Sequence, residues 1–297
     1  MQQLEAYLST LRPNSRAPYR QAFYEFQKFL KERELWLNET GMNAYLAWLK
    51  EKRLSGKTIN LKFDALRSIY RHFARNGHTN KNPFENSNVR LPRSNWNRKR
   101  HYRLIPFDKV TRVCTAPSNH TKVGIRDRCL LSILFGCGLR KDELLKLRLK
   151  DFQQSEGGHY FLYLPETKAQ TDQMQSIPDW ALSAILRLIE IRKGDGATES
   201  SHLLCMYRGD DSPKPGGIPT RTFDRIFKKW CAHVGVKHVS PHCARATAIS
   251  KLFFDRVELK KVRDFARHAS ILTTELYDKR LFGIEESAGK KLHYDEN

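Results

Sequence analysis

The stretch VGIRDRCLLSILFGCGLRKDELLKLRLKDF, residues 123–152, does most to decide the fold. Its first half is apolar on several sides, which is typical of a helix buried in a protein core. Gly136 and Gly138 are expected to end that helix, because glycine commonly follows the last helical residue. The leucines of LRKDELLKLRLKDF then predict a second, amphipathic helix. We therefore expect a buried helix followed by an amphipathic one in this part of the chain.

A short β element interrupts the helices that follow. The segment GGHYFLYLPETKAQTDQMQSIP, residues 157–178, has an aromatic and leucine-rich run, a polar tip and a return strand, which predicts a β-hairpin. Helical patterns resume at residues 179–194 and 220–235 and extend from Ser240 to about Phe282. The predicted fold class is mainly α, with a small β-hairpin or sheet in the C-terminal part of the chain.

The first 84 residues predict amphipathic helices joined by short turns. The last of them, in SGKTINLKFDALRSIYRHFARNG, has an apolar face and is expected to stop at Gly77. Its other face carries four cations: Lys62, Arg67, Arg71 and Arg75. This face is either an ordinary solvated surface or a helix laid along DNA with its cations on phosphates.

A basic linker separates this helical region from the rest of the chain. Residues 86–107, NSNVRLPRSNWNRKRHYRLIPF, contain six Lys and Arg, no acid and little apolar periodicity. Such a segment repels itself in isolation, and a polyanion would order it. We predict a helical domain over residues 1–85, a linker over 86–105 and a second domain over 106–297.

Composition points to a polyanionic partner. The 297 residues include 53 Lys and Arg against 32 Asp and Glu, a net charge of +21. An excess of this size favours nucleic acid as the partner over a role in solubility alone. The chain has no apolar run of membrane-spanning length and no visible signal peptide, so we expect a cytoplasmic protein.

The six cysteines are scattered and form no CxxC pair, which predicts reduced thiols. An alternative reading is a zinc site. Its candidate ligands are Cys231, His233, His238, His242 and Cys243. Their spacing fits no common pattern of two pairs of zinc ligands, and Pro241 interrupts the set.

Several polar residues are candidates for chemistry. His242 and Arg245 lie three positions apart in SPHCARATAIS, residues 240–250, on one predicted helix face. Arg140 and Glu143 have the same spacing after a glycine turn, where the arginine could present its guanidinium to a phosphate and the glutamate could orient it. Lys168 is predicted at the tip of the hairpin.

A second set of candidates follows in VRDFARHASILTTELYDKR, residues 262–280. His268 precedes a predicted helix start at Ser270, and Tyr277 is expected two turns along that helix. Each of these residue types is common on protein surfaces. The ordered set Arg, Lys, His-x-x-Arg, His, Tyr along one basic chain is a far more specific signal of function than any of these residues alone.

This order resembles that of the tyrosine recombinases, the phage-integrase type of site-specific DNA strand-exchange enzyme. GLRKDELLKLRLKDF is similar to the family's first arginine box and implies that Arg140 is an active-site arginine. ETKAQTDQMQSIP resembles its β-hairpin, with Lys168 as the catalytic lysine. PHCAR resembles its His-x-x-Arg box and assigns His242 and Arg245.

The last box is similar to RHASILTTELY and assigns His268 and the nucleophile Tyr277. Two residues next to these active-site positions depart from the family pattern. Arg267 stands where the family often has glycine, and Ala246 stands where a histidine or similar residue often follows the second arginine. All six active-site residue types are nevertheless present.

The resemblance implies a C-shaped clamp of two domains, a SAM-like core-binding domain and a mixed α/β catalytic domain. It implies cleavage through a 3′-phosphotyrosyl intermediate without metal or ATP, and a homotetramer on double-stranded DNA in which residues 283–297 are a docking tail. The candidate DNA contacts are Lys57, Thr58, Asn60, Arg67, Arg71, Arg98, Lys99 and Arg100. Integration, excision and dimer resolution all remain open. The alternatives are a non-catalytic DNA-binding regulator and a type IB topoisomerase or hairpin telomere resolvase.

Overall fold

Helices make up most of the computed structural model, which describes residues 2–85, 87–92, 103–165 and 173–278. The chain divides into two compact units, Met1–Arg98 and Lys99–Asn297. The predicted fold class, mainly α with a small sheet in the second unit, is confirmed. Within the described ranges, no helix has both the length and the apolar character needed to cross a membrane.

The described residues of the first unit contain four helices. They are α1 (Gln2–Thr10), α2 (Pro13–Glu32), α3 (Glu39–Glu51) and α4 (Gly56–Arg75). The side chains of Asn38 and Ser55 cap α3 and α4 by accepting hydrogen bonds from backbone N–H groups, which satisfies donors that a helix leaves unpaired. The rings of Phe26, Tyr45 and Phe63 are fully buried between the helices, so the apolar faces of the predicted amphipathic helices form the core.

The second unit contains eight of the helices in the described residues. They are α5 (Phe107–Thr115), α6 (Lys122–Gly136), α7 (Lys141–Lys146), α8 (Asp179–Gly194), α9 (Thr220–His233), α10 (Pro241–Phe254), α11 (Leu259–Ala266) and α12 (Ile271–Glu275). The predicted buried helix is α6, which is buried along most of its length and packs against α5, α8 and α10. This helix organises the core that supports the candidate site.

A three-stranded antiparallel sheet lies between α7 and α8 in sequence. Its strands are β1 (Phe152–Gln154), β2 (Tyr160–Leu164) and β3 (Gln173–Ser176), in the order β1-β2-β3. The predicted hairpin corresponds to β2 and β3, in which Leu162 pairs with Gln175. The added strand β1 pairs Phe152 with Leu162 on the other edge.

The segment LRKDELLKLRLKDF does not form the single amphipathic helix that its leucines predict. Helix α7 ends after six residues, and Leu147 has an extended backbone with ψ of 133°. The Leu147 carbonyl accepts a 2.8 Å hydrogen bond from the N–H of Leu203, and the N–H of Leu149 donates to Ser201 at 3.0 Å. These bonds to a distant segment replace the bonds of a continuing helix, so tertiary pairing overrides local helix propensity.

Candidate active site

Helix α10 presents two predicted site residues on one face. Pro241 takes the first helical position, where a missing N–H is tolerated. His242 and Arg245 follow on the same side of the helix, three residues apart. Ala244 and Ala246 are fully buried in the core. The two alanines therefore pack α10 against the core, and this packing places the side chains of His242 and Arg245 at the site.

Arg245 is almost completely buried, with 2% of its surface exposed. Its Nη1 donates a 2.5 Å hydrogen bond to the carbonyl of Gly138, and its Nη2 donates to the carbonyl of Ala266. Burial, followed by the charges of Arg140 and Arg267, lowers the pKa of Arg245 to about 9. The guanidinium group remains protonated at neutral pH and is held in one orientation.

Arg140 reaches the same place from another element. It is the residue just before α7 and follows the turn at Gly138, whose φ is +56°. Its backbone N–H and its Nη1 donate to the carboxylate of Glu143 at 2.8 and 2.7 Å. Its Nη2 donates to the carbonyl of Arg267 at 3.0 Å. Glu143 and this carbonyl together fix the direction of the Arg140 guanidinium.

The C-terminal end of α11 brings the two arginines together. Ala266 is the last residue of this helix and Arg267 follows it. Their consecutive carbonyl groups accept hydrogen bonds from Arg245 and Arg140. Carbonyls at a helix C-terminus carry partial negative charge and attract cations. Two guanidinium groups from separate elements therefore converge on one helix end.

Arg267, which departs from the family motif, is built into this arrangement. Its backbone is left-handed, with φ of 52°, a conformation that glycine adopts without strain. Its side chain is 4% exposed and donates from Nη2 to Oε2 of Glu143 at 2.7 Å. Its Nη1 donates to Oε1 of Gln175 in β3. Burial alone would raise the pKa of Glu143, but Arg267 and Arg140 hold it below its ordinary value.

Tyr277 lies in the same site and is 3% exposed. Its hydroxyl is 3.2 Å from Nε2 of His242. Its ring stacks on that of His268, with the ring centroids 5.4 Å apart. Its backbone carbonyl accepts a 2.8 Å hydrogen bond from the hydroxyl of Ser250 in α10. One helix therefore supports the tyrosine as well as His242.

The prediction that Tyr277 lies two turns along a helix is wrong. The helix begins after Ser270 as expected, but α12 has only five residues, and Tyr277 follows it in a turn. Three of the five helical residues are β-branched, which favours a helix only weakly. The N–H of Tyr277 donates to the carbonyl of Thr274 at 2.9 Å, and this short-range bond closes the turn.

His268 is held as a neutral imidazole. Burial, followed by the charges of Arg245 and Arg140, lowers its pKa to about 3. Its Nδ1 lies 2.9 Å from the hydroxyl oxygen of Thr274. A neutral imidazole has one donor and one acceptor nitrogen. When Nδ1 accepts from Thr274, the other nitrogen carries the proton and can donate to a substrate oxygen.

Some predicted residues lie outside the described part of the chain. Lys168 falls between β2 and β3, in residues 166–172. Arg98, Lys99 and Arg100 fall in residues 93–102, and the predicted docking tail falls in residues 279–297. Of the six predicted active-site residues, the structure therefore brings together Arg140, His242, Arg245, His268 and Tyr277.

Five candidate DNA contacts lie on α4 in the first unit. Lys57 is exposed near the start of the helix. The hydroxyl of Thr58 is 2.8 Å from that of Ser55, within the helix cap. The side-chain amide of Asn60 donates to the carbonyl of Pro92 at 3.1 Å. Only the lysine of these three is fully presented to solvent.

The predicted cationic face of α4 is partly neutralised by neighbouring acids. Arg67 pairs with Asp64 and Arg71 with Glu85, both at 2.9 Å. Lys62 forms a 2.9 Å ion pair with Glu25 and is 14% exposed. These pairs reduce the positive charge that the face offers to a phosphate.

Sequence reasoning missed a cationic face on α9. It consists of the exposed residues Arg221, Arg225, Lys228 and Lys229, and we call it the α9 cationic face. The opposite side of the helix buries Phe223, Ile226 and Phe227 in the core. The signal was present in the sequence, because the cations recur at helical spacing between these apolar residues.

The contacts of Gln175 and Thr274 were also missed, and no sequence signal identifies them. Gln175 lies 92 residues from Arg267 along the chain. Threonine is a common residue throughout proteins, and only the distance between Thr274 and His268 shows its role. The structure alone places these two side chains at the site.

The cysteines and histidines considered as zinc ligands do not form a metal site. Across the described ranges, no three His, Cys, Asp or Glu side chains are grouped so that they could hold a metal ion. His242 faces Tyr277, and Cys231 is fully buried in the core. The geometry therefore gives the zinc alternative no support. All six cysteines are free thiols.

Family models match both parts of the chain. Residues 103–282 match the phage integrase family, and residues 1–90 match the phage integrase SAM-like domain. The first match covers more than half of the chain and contains all six predicted active-site residues.

Two relatives are named as recombinases, and a solved structure shares the fold. The tyrosine recombinase XerD of Rickettsia prowazekii is 26% identical over 277 residues, which are 90% of this chain and 87% of that protein. XerC of Pelobacter propionicus is 29% identical over 243 residues, or 80% of this chain and 72% of that protein. The XerH recombinase, solved in a post-cleavage complex with a palindromic difH substrate, shares the fold. It has a TM-score of 0.70 at 16% identity, over 93% of this chain and 80% of that one.

These matches favour recombination over the regulator and topoisomerase alternatives, because the matched relatives are recombinases. The chain therefore belongs to the phage integrase family and is a site-specific tyrosine recombinase.

Proposed function

We propose that this recombinase cuts and rejoins double-stranded DNA through a covalent bond between Tyr277 and a 3′ phosphate. The observation that carries the proposal is the 3.2 Å approach of the Tyr277 hydroxyl to Nε2 of His242. A phenol has an ordinary pKa near 10, so it needs a proton acceptor at neutral pH. His242 supplies this acceptor at hydrogen-bonding distance.

The proposed cleavage step is a transesterification. The Tyr277 oxygen attacks phosphorus as its proton passes to His242, the new O–P bond forms, and the bond from phosphorus to the 5′ oxygen breaks. Lys168, the proposed general acid, protonates the departing 5′ oxygen. The products are a 3′-phosphotyrosyl link and a 5′ hydroxyl, and attack by a 5′ hydroxyl reverses the step. One ester replaces another, so the step balances without ATP and without a metal ion.

Arg140 and Arg245 are the proposed clamp on the phosphate. Their guanidinium groups converge at the end of α11 and would stabilise the negative charge that builds on the non-bridging oxygens in the transition state. His268 would donate a hydrogen bond to the same phosphate. Loss of one such preorganised donor typically costs about a hundredfold or more in rate.

We further propose how the chain meets its DNA. Residues 1–85 are the core-binding domain, 86–105 the basic linker and 106–297 the catalytic domain, and a homotetramer bridges two duplexes. The proposed phosphate contacts include the earlier candidates Lys57, Thr58, Asn60, Arg67, Arg71, Arg98, Lys99 and Arg100. The α9 cationic face adds four exposed cations in the catalytic domain.

Covalent capture tests this proposal. Wild type and Tyr277→Phe are expressed in cells that carry the DNA flanking the gene, the cells are lysed under denaturing conditions, and DNA attached to the captured protein is sequenced. We expect 3′-linked DNA from one locus with wild type and none with the variant. A nicked duplex built from the flanking DNA traps the intermediate when cellular adducts are short-lived.

Two results would overturn the proposal. One is equal covalent DNA in both samples, which would exclude Tyr277 as the nucleophile. The other is tight DNA binding with no trapped adduct on the nicked duplex, which would leave a DNA-binding protein without cleavage activity. Cleavage that needs no partner site would point to a relaxing enzyme.

A further inference from the structure

The Arg267 side chain occupies a position that the cleavage step does not use directly. It is 4% exposed, so it cannot contact DNA from its present position. Its Nη2 donates to Glu143, and its Nη1 donates to Gln175 and, at 3.3 Å, to the carbonyl of Phe265. These bonds direct the side chain into the protein.

Arg267 is connected to Arg140 by one direct hydrogen bond and by a bridge through Glu143. Its backbone carbonyl accepts a 3.0 Å hydrogen bond from Nη2 of Arg140. Its guanidinium group binds Oε2 of Glu143, whose Oε1 accepts from Nη1 of Arg140 at 2.7 Å. Glu143 is thus held between two arginines, of which only Arg140 has appreciable exposure, at 30%.

We infer that Arg267 is a positioning residue for DNA cleavage, which holds Glu143 and thereby aims the Arg140 guanidinium at the scissile phosphate. This inference rests on the proposed function of the site. Arg140 has many side-chain rotamers, and fixing one of them before substrate binds removes an entropic cost from the transition state. The bond to Gln175 ties the same cluster to strand β3.

The backbone conformation supports a role for the side chain. Arg267 has a positive φ of 52°. Residues other than Gly, Asn and Asp seldom adopt this backbone conformation. Glycine would meet the backbone requirement without strain. It would leave Glu143 without its buried cation and Gln175 without this donor. The arginine therefore adds contacts that the turn itself does not need.

A glycine substitution isolates the side chain from the backbone. Arg267→Gly keeps the left-handed turn and removes the contacts to Glu143 and Gln175. The matched control is Arg256→Gly, because Arg256 is exposed and has a similar φ of 59°. Both substitutions relieve the same kind of backbone strain, and only one alters the site.

The readout is the single-turnover cleavage rate on a nicked duplex carrying the captured target sequence, with the DNA dissociation constant measured in parallel. We expect Arg267→Gly to cleave about tenfold more slowly, with unchanged DNA affinity, and Arg256→Gly to match wild type. Arg267→Lys should recover part of the rate, since it restores the cation beside Glu143 without the two-pronged contact.

A double-mutant cycle tests the route through Glu143. If Arg267 acts by holding this carboxylate, Arg267→Gly should cause no further loss in a Glu143→Gln background. A wild-type rate in Arg267→Gly, or fully additive losses in the cycle, would overturn the inference. Absence of any covalent adduct with the wild-type protein would instead overturn the proposed function.

Discussion

The hydroxyl of Tyr277 lies 3.2 Å from Nε2 of His242, although the two residues are 35 positions apart in the chain. The proposed nucleophile and its proton acceptor are therefore aligned before DNA binds. Ser250 contributes to this alignment because its hydroxyl holds the Tyr277 backbone. An acceptor that is already in place predicts a strong dependence of cleavage on the identity of residue 242.

His242→Gln should slow cleavage by about a hundredfold or more, the usual contribution of a general base. Glutamine has a similar reach and can accept a hydrogen bond, but it does not take up a proton. The measurement is single-turnover adduct formation on a nicked duplex, with His233→Gln on α9 as the control. Cleavage at the wild-type rate in His242→Gln would exclude histidine as the proton acceptor.

Arg245→Lys should impair both folding and cleavage. An ammonium group cannot match the planar fork that reaches the carbonyls of Gly138 and Ala266. We expect a lower Tm and a cleavage rate reduced by about a hundredfold. Arg187→Lys on the exposed side of α8 is the control, since Arg187 is a surface residue that pairs with the exposed Glu190. Near-normal cleavage by Arg245→Lys would argue against the proposed clamp.

Gly138→Ala should disturb the turn that receives Arg245. Gly138 has a φ of +56°, and an added Cβ would lie 2.8 Å from Cε1 of Phe265. We expect the free energy of unfolding to fall by about 1 kcal/mol or more, and cleavage to slow because the Gly138 carbonyl moves. Urea unfolding measures the first effect. Gly194→Ala, whose Cβ would meet nothing within 4 Å, should be neutral or stabilising, and equal behaviour of the two variants would contradict the prediction.

His268 should make the folded chain less stable in acid. Its pKa is lowered to about 3 in the folded protein, whereas a histidine in the unfolded chain titrates near about 6.5. Between these values the unfolded chain binds the extra proton, so stability falls as the pH drops from about 7 towards 4. His268→Asn should weaken this dependence in urea unfolding, and the exposed His159→Asn should not. An unchanged dependence in His268→Asn would show that the imidazole titrates normally.

The α9 cationic face should contribute to DNA affinity through phosphates. The double substitution Arg225→Ala and Lys228→Ala should make the negative slope of log K against log salt less steep by about 1.8. Each phosphate contact contributes about 0.9 to the steepness of this slope. The control removes Arg187 and Lys193 from α8, which changes the net charge equally but takes away cations paired with surface acids. Equal changes in slope for both double variants would show that only net charge matters.

The helices and the site residues could be predicted because their signals are local. Apolar periodicity predicted α4, an apolar stretch predicted α6, and short ordered motifs made Arg140, Arg245 and Tyr277 candidates. The extent of α7 could not be predicted, because the bonds that end it come from Leu203 and Ser201, more than fifty residues away. A local pattern contains no information about such pairing.

The contacts that orient the arginines were hidden for a different reason. Arg140 and Arg245 each donate one hydrogen bond to a backbone carbonyl at the end of α11. Every residue has a backbone carbonyl, so a hydrogen bond to one cannot be predicted from the type of residue. Arg267 was visible only as a departure from a motif, and its burial against Glu143 required the folded chain.

Helix α10 carries His242 and Arg245, and its Ser250 hydroxyl holds the backbone of Tyr277. The same helix therefore links all three groups to one another. Local melting of α10 separates all three at once. We therefore expect the contacts of His242, Arg245 and Tyr277 to be lost together when this one helix opens.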